Sequence, residues 1–228
     1  HKNNIVKFEP SLLKVPVVGA SCGENHMVVV VRKRNGTLSA AGHNHNGQLG
    51  IGEEGRNILI VRHFAIVPSV EDVREVSCGS SHTVVVLRNG SLLVVGDNYY
   101  GQLGLGDDAP EKVSSFRPVP GIEDARGVGC GAAHTAVVRG DGALLVAGWN
   151  EYGQLGLGHG APKKVLSFVP VPGIEDARVV SCGQYHTAVV RRNGALWVSG
   201  YNCYGQLGMG DNNNVHKFVS VPGIEDVW

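Results

Sequence analysis

Residues 180–208 read VSCGQYHTAVVRRNGALWVSGYNCYGQLG, and the pattern of this stretch occurs four times in the 228-residue chain. Each copy contains a Cys-Gly pair, a histidine four residues after the cysteine, an Asn-Gly or Asp-Gly pair, and a closing Gly-x-Asn-x-x-Gly-Gln-Leu-Gly run. The cysteines are Cys22, Cys78, Cys130 and Cys182, and the histidines are His26, His82, His134 and His186. A phenylalanine repeats with the same period of about 52 residues, at Phe8, Phe64, Phe116, Phe168 and Phe218. Self-similarity at this period predicts a repeat architecture in which each unit buries its apolar face against its neighbours.

The Asn-Gly and Asp-Gly pairs predict hairpin turns. Each pair, such as Asn89-Gly90 or Asp141-Gly142, stands between two Val-, Leu- and Ala-rich stretches. Such pairs favour the two positive-φ residues of a type I′ turn. One further strand is expected to follow each phenylalanine, as in FVPVPG from Phe168, and another to end at each Cys-Gly pair. Four short antiparallel strands in a unit of roughly fifty residues indicate an all-β fold and a propeller blade, because no helical periodicity accompanies them.

The ordered set Val-Ser-Cys-Gly-x-x-His-Thr, Asn-Gly or Asp-Gly, and Gly-x-Asn-x-x-Gly-Gln-Leu-Gly-x-Gly resembles the regulator of chromosome condensation repeat family over nearly the whole chain. The resemblance implies a β-propeller, usually of seven blades. Members of this family include an exchange factor for the small GTPase Ran, ciliary GTPase regulators, ubiquitin-ligase accessory domains and a plant ultraviolet-B photoreceptor. The photoreceptor role needs clustered tryptophans, and the chain has only three. The resemblance therefore determines the fold better than the function.

The number of blades departs from the family pattern. Four Cys-Gly/His hairpins are present, but the phenylalanine strand occurs five times. We predict one propeller segment over residues 1–228, with units at 8–63, 64–115, 116–167 and 168–217 and a terminal strand at 218–228. Because a closed four-bladed ring needs only four phenylalanine strands, the fifth favours an open segment of a seven-bladed propeller. Closure of the four blades on themselves and completion of the ring by another chain are the alternatives. We expect this segment to self-associate or to need further sequence to complete its ring, since exposed blade edges pair with other chains.

Composition limits the classes of partner. Twenty Lys and Arg residues balance twenty Asp and Glu residues, so net charge does not attract the chain to nucleic acid or to an acidic membrane. No apolar stretch approaches membrane-spanning length, so membrane insertion is not expected. Four of the five cysteines occupy equivalent repeat positions, which favours small buried core residues over a disulfide framework. We expect an intracellular protein, in the cytoplasm, nucleus or cilium.

The repeated histidines invite a metal or acid–base interpretation. Each one directly precedes Thr or Met at the start of a predicted strand, in the same way in all four units. We therefore predict buried rings that bond to the backbone of their own blade. The sequence contains no Cys/His spacing that supports zinc, and no Lys-Ser/Thr pair follows the Gly-rich runs as phosphate binding would require. No catalytic residue, metal or cofactor is predicted.

Positions that vary between otherwise identical units are candidates for partner recognition. They fall after the Cys-Gly pairs and inside the Gly-x-Asn-x-x-Gly runs, where Tyr, Trp and His supply contact area with a polar group. Two small basic insertions in the first unit add further candidates. The predicted partner-binding residues are His43, His45, Tyr99, Trp149, Glu151, Tyr185, Tyr201, Arg34 and Arg56. The alternative is that these aromatics pack blade against blade, and Tyr100, Tyr152 and Tyr204 share the register expected for that role.

Two functions follow from these observations. The first is a non-catalytic scaffold that presents a loop-lined face to a protein partner within a larger protein. The second is guanine-nucleotide exchange on a Ran- or Rab-type GTPase. Exchange needs no acid–base residues, only differential binding of the nucleotide-free GTPase, so a nucleotide-release assay separates the two.

Overall fold

The computed structural model describes residues 16–31, 36–55 and 57–225. Sixteen strands in this part of the chain form four antiparallel four-stranded sheets, in sequence order within each sheet. Blade 1 contains β1 (Val17–Cys22), β2 (His26–Val31), β3 (Thr37–His43) and β4 (Ile60–Ile66). Blade 2 contains β5 (Val73–Cys78), β6 (His82–Leu87), β7 (Leu92–Asp97) and β8 (Lys112–Pro118). Blade 3 contains β9 (Ala125–Cys130), β10 (His134–Arg139), β11 (Leu144–Trp149) and β12 (Lys164–Pro170). Blade 4 contains β13 (Ala177–Cys182), β14 (His186–Arg191), β15 (Leu196–Gly200) and β16 (Val215–Ser220).

Each sheet starts with the Cys-Gly strand and ends with the phenylalanine strand of the following sequence unit. The phenylalanine lies inside its strand, as Phe116 does in β8, and the strand does not begin after it. The strand around Phe218 is therefore the fourth strand of blade 4. The sheets thus repeat with the same period as the predicted units, but each sheet begins and ends later in the sequence than its unit. Phe8 lies outside the described residues.

The hairpin turns of blades 2, 3 and 4 differ from the predicted type I′ geometry. In blade 2 the Gly90 amide donates to the Leu87 carbonyl, and the Leu87 amide donates to the Ser91 carbonyl. Gly90 has φ of 91°, whereas Asn89 is not among the residues of positive φ. This arrangement is a three-residue loop with a glycine in the left-handed region, the other common hairpin connection. The type I′ prediction was wrong because the loop contains one more residue than that turn allows.

Neighbouring blades share their hydrophobic cores. Leu92 and Val94 of blade 2 pack in one cluster with Val128 and Val137 of blade 3. Equivalent clusters join blade 1 to blade 2 and blade 3 to blade 4. The fourth cluster contains only three fully buried residues, all of them from blade 4 or the segment that follows it. Most of the core therefore lies between sheets, as expected when single units cannot bury their apolar faces alone.

The four sheets do not close into a ring. The first strands of successive blades contact one another, β1 with β5, β5 with β9, and β9 with β13. Within the described ranges no comparable contact joins β13 to β1. The prediction of an open propeller segment is therefore confirmed. No helix within the described ranges is long and apolar enough to cross a membrane.

The repeated histidines join blades, so the predicted bond to the backbone of the same blade was wrong. His134 Nε2 lies 2.9 Å from the hydroxyl of Thr187 in the next blade, and the Thr187 hydroxyl donates to the Gln154 carbonyl at 2.7 Å. Because a hydroxyl has one proton, Thr187 must accept from His134, whose Nε2 therefore carries the hydrogen. His26–Thr83 and His82–Thr135 repeat this bond at 2.9 and 3.0 Å.

Burial keeps these histidines neutral. His82 and His134 are fully buried, and desolvation lowers the pKa of each to about 3. The pKa of His26 is lowered to about 4, by burial first and then by nearby His43. His186 is only half-buried, and burial lowers its pKa less. The sequence prediction that His82 and His134 are buried is confirmed, but His186 is not, because no described blade follows blade 4.

A second contact between blades places the phenylalanine of one blade against a glycine of the preceding one. A Cβ added to Gly156 would lie 2.2 Å from the Phe218 ring, and one added to Gly104 would lie equally close to Phe168. Both glycines belong to Gly-Gln-Leu-Gly runs and have φ near +65°. Gly104 and Gly156 are therefore required both by their backbone conformation and by the close approach of a ring.

Candidate partner-binding surface

Two loops of every blade lie at the same end of the propeller segment. In an antiparallel sheet the loop between the first and second strands is adjacent to the loop between the third and fourth. Backbone hydrogen bonds tie the two loops together, for example from the Trp149 amide to the Ala133 carbonyl at 2.8 Å and from the Tyr201 amide to the Tyr185 carbonyl at 2.9 Å. Both sets of variable positions therefore lie on one surface, which we call the loop face.

A buried asparagine shapes each long loop. Asn150 Nδ2 donates to the Pro162 carbonyl at 3.1 Å, and Asn150 Oδ1 accepts the Leu155 amide at 3.1 Å. Asn98 makes the equivalent bonds to Pro110 and Leu103 at 3.2 and 3.0 Å. The asparagine satisfies backbone groups at both ends of the loop, so the loop holds a fixed conformation. The repeated Asn is therefore structural.

The glutamine of the Gly-Gln-Leu-Gly run fixes the backbone of the tyrosine two residues before it. Gln102 Oε1 accepts the Tyr100 amide at 2.9 Å, and Gln154 Oε1 accepts the Tyr152 amide at 3.0 Å. The Gln102 amide also donates to Asp97 at 2.8 Å. Gln102 and Gln154 are fully buried. The rings thus project from a rigid support.

Seven aromatic side chains form a continuous ribbon across blades 2, 3 and 4. The aromatic ribbon consists of Tyr99, Tyr100, Trp149, Tyr152, Tyr185, Tyr201 and Tyr204. Tyr100 meets Trp149 of the next blade with ring centroids 5.4 Å apart, and Tyr152 meets Tyr201 at 4.8 Å. Trp149, Tyr152 and Tyr185 contact one another at 5.3–5.6 Å. Such offset and edge-on contacts stabilise aromatic pairs, so the ribbon is ordered before any partner binds.

The ribbon is partly exposed, and two lysines beside it or its loops already have partners. Tyr99 is 52% exposed and Tyr204 is 86% exposed, while the rings between them are half-buried. Lys164 lies 4.0 Å above the Tyr99 ring and donates to the Tyr99 carbonyl. Lys163 pairs with Glu151 at 2.8 Å. The surface therefore presents aromatic rings, with Lys163 in an ion pair and Lys164 on the Tyr99 ring.

The structure brings five of the nine predicted partner-binding residues together. Tyr99, Trp149, Tyr185 and Tyr201 belong to the ribbon, and Glu151 directly precedes the ribbon residue Tyr152. His43 and His45 stack at 5.9 Å on the equivalent loop of blade 1, outside the ribbon. Arg34 and Arg56 lie outside the described residues.

Sequence reasoning missed part of this surface. The predicted packing role fits Tyr100 and Tyr152, which contact the next blade but also continue the ribbon. Tyr204 is exposed because blade 4 has no described neighbour on that side. Lys164 was missed altogether. Lys164 pairs with Trp149 across β11 and β12. That pairing was the available signal that the lysine lies near the aromatic residues, since paired strand residues place their side chains side by side.

A cavity of about 380 Å³ opens on the loop face beside the ribbon. It is lined by the Cys-Gly pairs of all four blades and by the residues that follow them, including Glu24 and Gln184. Burial raises the pKa of Cys78 to about 11 and raises that of Cys130 well above its usual range. These thiols remain protonated and are poor nucleophiles. The part of the chain that the structure describes contains no group of three or more His, Cys, Asp or Glu residues that could hold a metal ion.

Models of the regulator of chromosome condensation (RCC1) repeat match residues 35–86, 89–138 and 141–190, and a second model of that repeat matches residues 73–102, 125–154 and 178–206. The chain belongs to the RCC1 repeat family. The matches cover most of the described blades and include the Cys-Gly, His-Thr and Gly-Gln-Leu-Gly motifs. The family resemblance read from the sequence is therefore confirmed.

Relatives of this chain include a receptor and a GTPase regulator. The chain is 35% identical over 199 residues to the Ultraviolet-B receptor UVR8 of Arabidopsis thaliana, covering 86% of this chain and 44% of the receptor. It is 35% identical over 147 residues to the mouse X-linked retinitis pigmentosa GTPase regulator, covering 61% of this chain and 14% of the regulator. The crystal structure of Prp20p from Saccharomyces cerevisiae has the same fold, with a TM-score of 0.79 at 19% identity over 94% of this chain and 52% of Prp20p. The chain thus spans less than half the length of these two relatives and about half of Prp20p.

Proposed function

We propose that this chain is a non-catalytic protein-interaction module and that its loop face binds a protein partner through the aromatic ribbon. The observation that carries this proposal is the continuous set of half-buried and exposed rings on a rigid support. Aromatic residues are enriched in protein interfaces because they bury large areas at low entropic cost and retain a polar group.

Charge and chemistry favour a protein over other ligands. Single-stranded nucleic acid also stacks on aromatic rings, but it requires a basic groove along its backbone. Lys163 pairs with Glu151, Lys164 lies on Tyr99, and the chain has no net charge. A neutral, ring-rich surface with hydroxyl groups suits a protein segment. The five free thiols favour a reducing, intracellular compartment for the encounter.

Site-specific photo-crosslinking tests this proposal. A photoreactive phenylalanine analogue replaces Tyr99 or Tyr201 in one set of proteins and exposed Glu123, on the opposite face, in the control. We expect a shared crosslinked protein from both ribbon positions but not from Glu123. Excess unlabelled chain should compete for it, whereas the Tyr99→Ala/Tyr201→Ala double variant should compete at least tenfold less well. Equal capture from both faces, or equal competition by the double variant, would contradict the proposal.

Guanine-nucleotide exchange is the second candidate, and the similarity to a GTPase regulator favours it. Exchange works by binding the nucleotide-free GTPase more tightly than the loaded form, so it requires a surface and no catalytic side chain. Nucleotide release from a panel of Ran- and Rab-type GTPases distinguishes the two. A scaffold leaves release rates unchanged. Acceleration that is lost in the Tyr99→Ala/Tyr201→Ala variant would replace the scaffold proposal with exchange.

A further inference from the structure

The glutamine of each Gly-Gln-Leu-Gly run carries an amide donor, Nε2, that a buried site must satisfy. Its Oε1 accepts a backbone amide of the same loop, as Gln102 does from Tyr100 and Gln154 from Tyr152. Because this bond fixes the orientation of the side-chain amide, Nε2 points to the side chain five residues earlier. In blade 2 that side chain is Asp97, whose carboxylate accepts from Gln102 Nε2 at 2.8 Å.

Blade 3 leaves this donor without an acceptor. The residue five positions before Gln154 is Trp149, whose indole N–H is a donor only. Gln154 is fully buried, and its Nε2 has no hydrogen-bond partner among the described residues. In blade 1 the His43 ring nitrogen lies 3.5 Å from Gln48 Nε2 and can accept from it. Because an unsatisfied buried donor is destabilising, stability alone does not explain the tryptophan at this position.

Aromatic rings and an unpaired positive charge lie around the unsatisfied donor. The Trp149 ring contacts those of Tyr152 and Tyr185 at centroid distances of 5.4 and 5.3 Å, and all three side chains are half-buried. Trp149 also pairs with Lys164 across β11 and β12, which places the two side chains side by side. The Lys164 ammonium lies over a ring of blade 2 and forms no ion pair with a carboxylate of the described residues. The donor is therefore next to a half-buried ring of the loop face and near a positive charge.

We propose that the side-chain amide of Gln154 is a binding site for a carboxylate of the protein partner, which moves the Trp149 ring aside. This carboxylate takes the place that Asp97 holds against Gln102 in blade 2. The inference rests on the proposed function, since it names the chemical group that the ribbon recognises. The hydrogen bond that the free protein lacks is gained in the complex, which favours a partner that carries an acceptor over one that does not.

A carboxylate suits this site better than a neutral carbonyl. Hydrogen bonds to an ionised acceptor are the stronger ones, and Lys164 beside Trp149 adds attraction for an anion. Glu151 of the same loop is paired with Lys163 and leaves no unpaired negative charge there. Trp149 and Tyr185 meet at an interplanar angle of 83°, and the edge of an aromatic ring carries the positive potential that an anion prefers. An acidic side chain or the carboxyl terminus of a protein segment supplies such a group.

Nuclear magnetic resonance of the side-chain amides tests this site without knowledge of the partner. The probes are N-acetyl-aspartate amide for a side-chain carboxylate, N-acetylglycine for a terminal carboxylate, and N-acetyl-asparagine amide as the neutral isostere. Gln102 is the control within the same molecule, because its amide is already bonded to Asp97. Gln154→Glu identifies the Gln154 signals by their loss, since it keeps the oxygen that accepts the Tyr152 amide but has no donor.

Two substitutions of Trp149 separate the acceptor from the ring. Trp149→Asp supplies Gln154 with an acceptor within the chain, as Asp97 does for Gln102. Trp149→Ala is the matched control, because it also removes the ring but provides no acceptor. Thermal unfolding checks that both variants are folded.

We expect N-acetyl-aspartate amide to shift the Gln154 signals at a concentration at least tenfold lower than N-acetyl-asparagine amide, while the Gln102 signals stay unchanged. Trp149→Ala should keep this response, and Trp149→Asp should lose it. A still stronger response to N-acetylglycine would support the site and assign it to a chain terminus. Gln154 signals that do not move, that respond equally to the neutral probe, or that still respond in Trp149→Asp would overturn the proposal.

This experiment and the crosslinking experiment fail separately. Unchanged Gln154 signals together with ribbon-specific crosslinking from Tyr99 and Tyr201 would overturn this inference and leave the proposed function intact. A carboxylate response of Gln154 without ribbon-specific crosslinking would contradict the proposed function alone.

Discussion

Blades 3 and 4 have nearly the same sequence in their inner hairpins, yet they differ in burial. His134 and His186 are each followed by Thr-Ala-Val-Val-Arg, but the first ring is fully buried and the second is half-buried. The difference arises because blade 4 covers blade 3, whereas no described blade covers blade 4. A repeat therefore determines the path of its own strands, while its neighbour determines how much each side chain contributes to stability.

Acid titration probes the largest consequence of this burial. The unfolded histidines titrate near pH 6.5, while burial lowers the pKa of His26 to about 4 and those of His82 and His134 to about 3. Below pH 6.5 the unfolded state binds more protons, so stability present at pH 7 is lost as the pH falls toward 4. Each of these rings lowers the free energy of unfolding by about 1.4 kcal/mol per pH unit, so the three together lower it by about 4 kcal/mol per pH unit.

Urea unfolding at several pH values between 6 and 4.5 measures this slope. His134→Gln should reduce it by about one proton, whereas His186→Gln should reduce it less, because the His186 ring is only half-buried. An equal reduction by both variants would show that the two rings are equally buried.

The glycines of the Gly-Gln-Leu-Gly runs give a second, smaller contrast. Gly156 and Gly208 have φ of 65° and 69°, so alanine carries the same backbone cost of about 1–2 kcal/mol at both. Only Gly156 lies against a ring, Phe218, so Gly156→Ala adds an overpacking cost of about 1–3 kcal/mol. Chemical denaturation should therefore rank Gly156→Ala well below Gly208→Ala in stability. Equal losses of stability for Gly156→Ala and Gly208→Ala would mean that the Phe218 ring moves away from the added methyl group at no cost.

The same logic predicts that Gly153→Val destabilises more than Glu151→Ala. Gly153 has φ of 80°, and an added Cβ would lie 2.4 Å from the Cα of His216. Glu151 is exposed and makes only a surface ion pair with Lys163, which is worth little. Comparable melting temperatures would show that this loop is not a rigid support for the ribbon.

Removing the histidine tests the hydrogen bond between blades. His134→Ala leaves the Thr187 hydroxyl with an unused acceptor in a buried site and should cost about 1–3 kcal/mol. His186→Ala should cost less, because the His186 ring is only half-buried and no described blade covers it. Equal losses of unfolding free energy for the two would remove the evidence that the neighbouring blade confers the stability.

Sequence patterns predicted the strands, the period and the open arrangement because these depend on local residues repeated in register. They did not predict that His134 bonds to Thr187, since that pair is 53 residues apart and lies in different blades. The turn type also escaped prediction, because Asn-Gly occurs in both two- and three-residue loops. Tyr100 and Tyr152 were assigned to packing alone, because the sequence does not reveal that a packed ring also continues an exposed ribbon.

Hydrogen exchange of β10 and β14 tests the central comparison most directly. Exchange protection reports local stability, and equivalent strands with nearly the same sequence have similar intrinsic exchange rates. If neighbouring blades confer the stability, amides of β14 and β15 should exchange at least tenfold faster than those of β10 and β11. The His134→Ala substitution should reduce this difference in exchange rate. Equal protection of the two hairpins would contradict the account, because it would show that blade 4 is as stable without a described neighbour as blade 3 is with one.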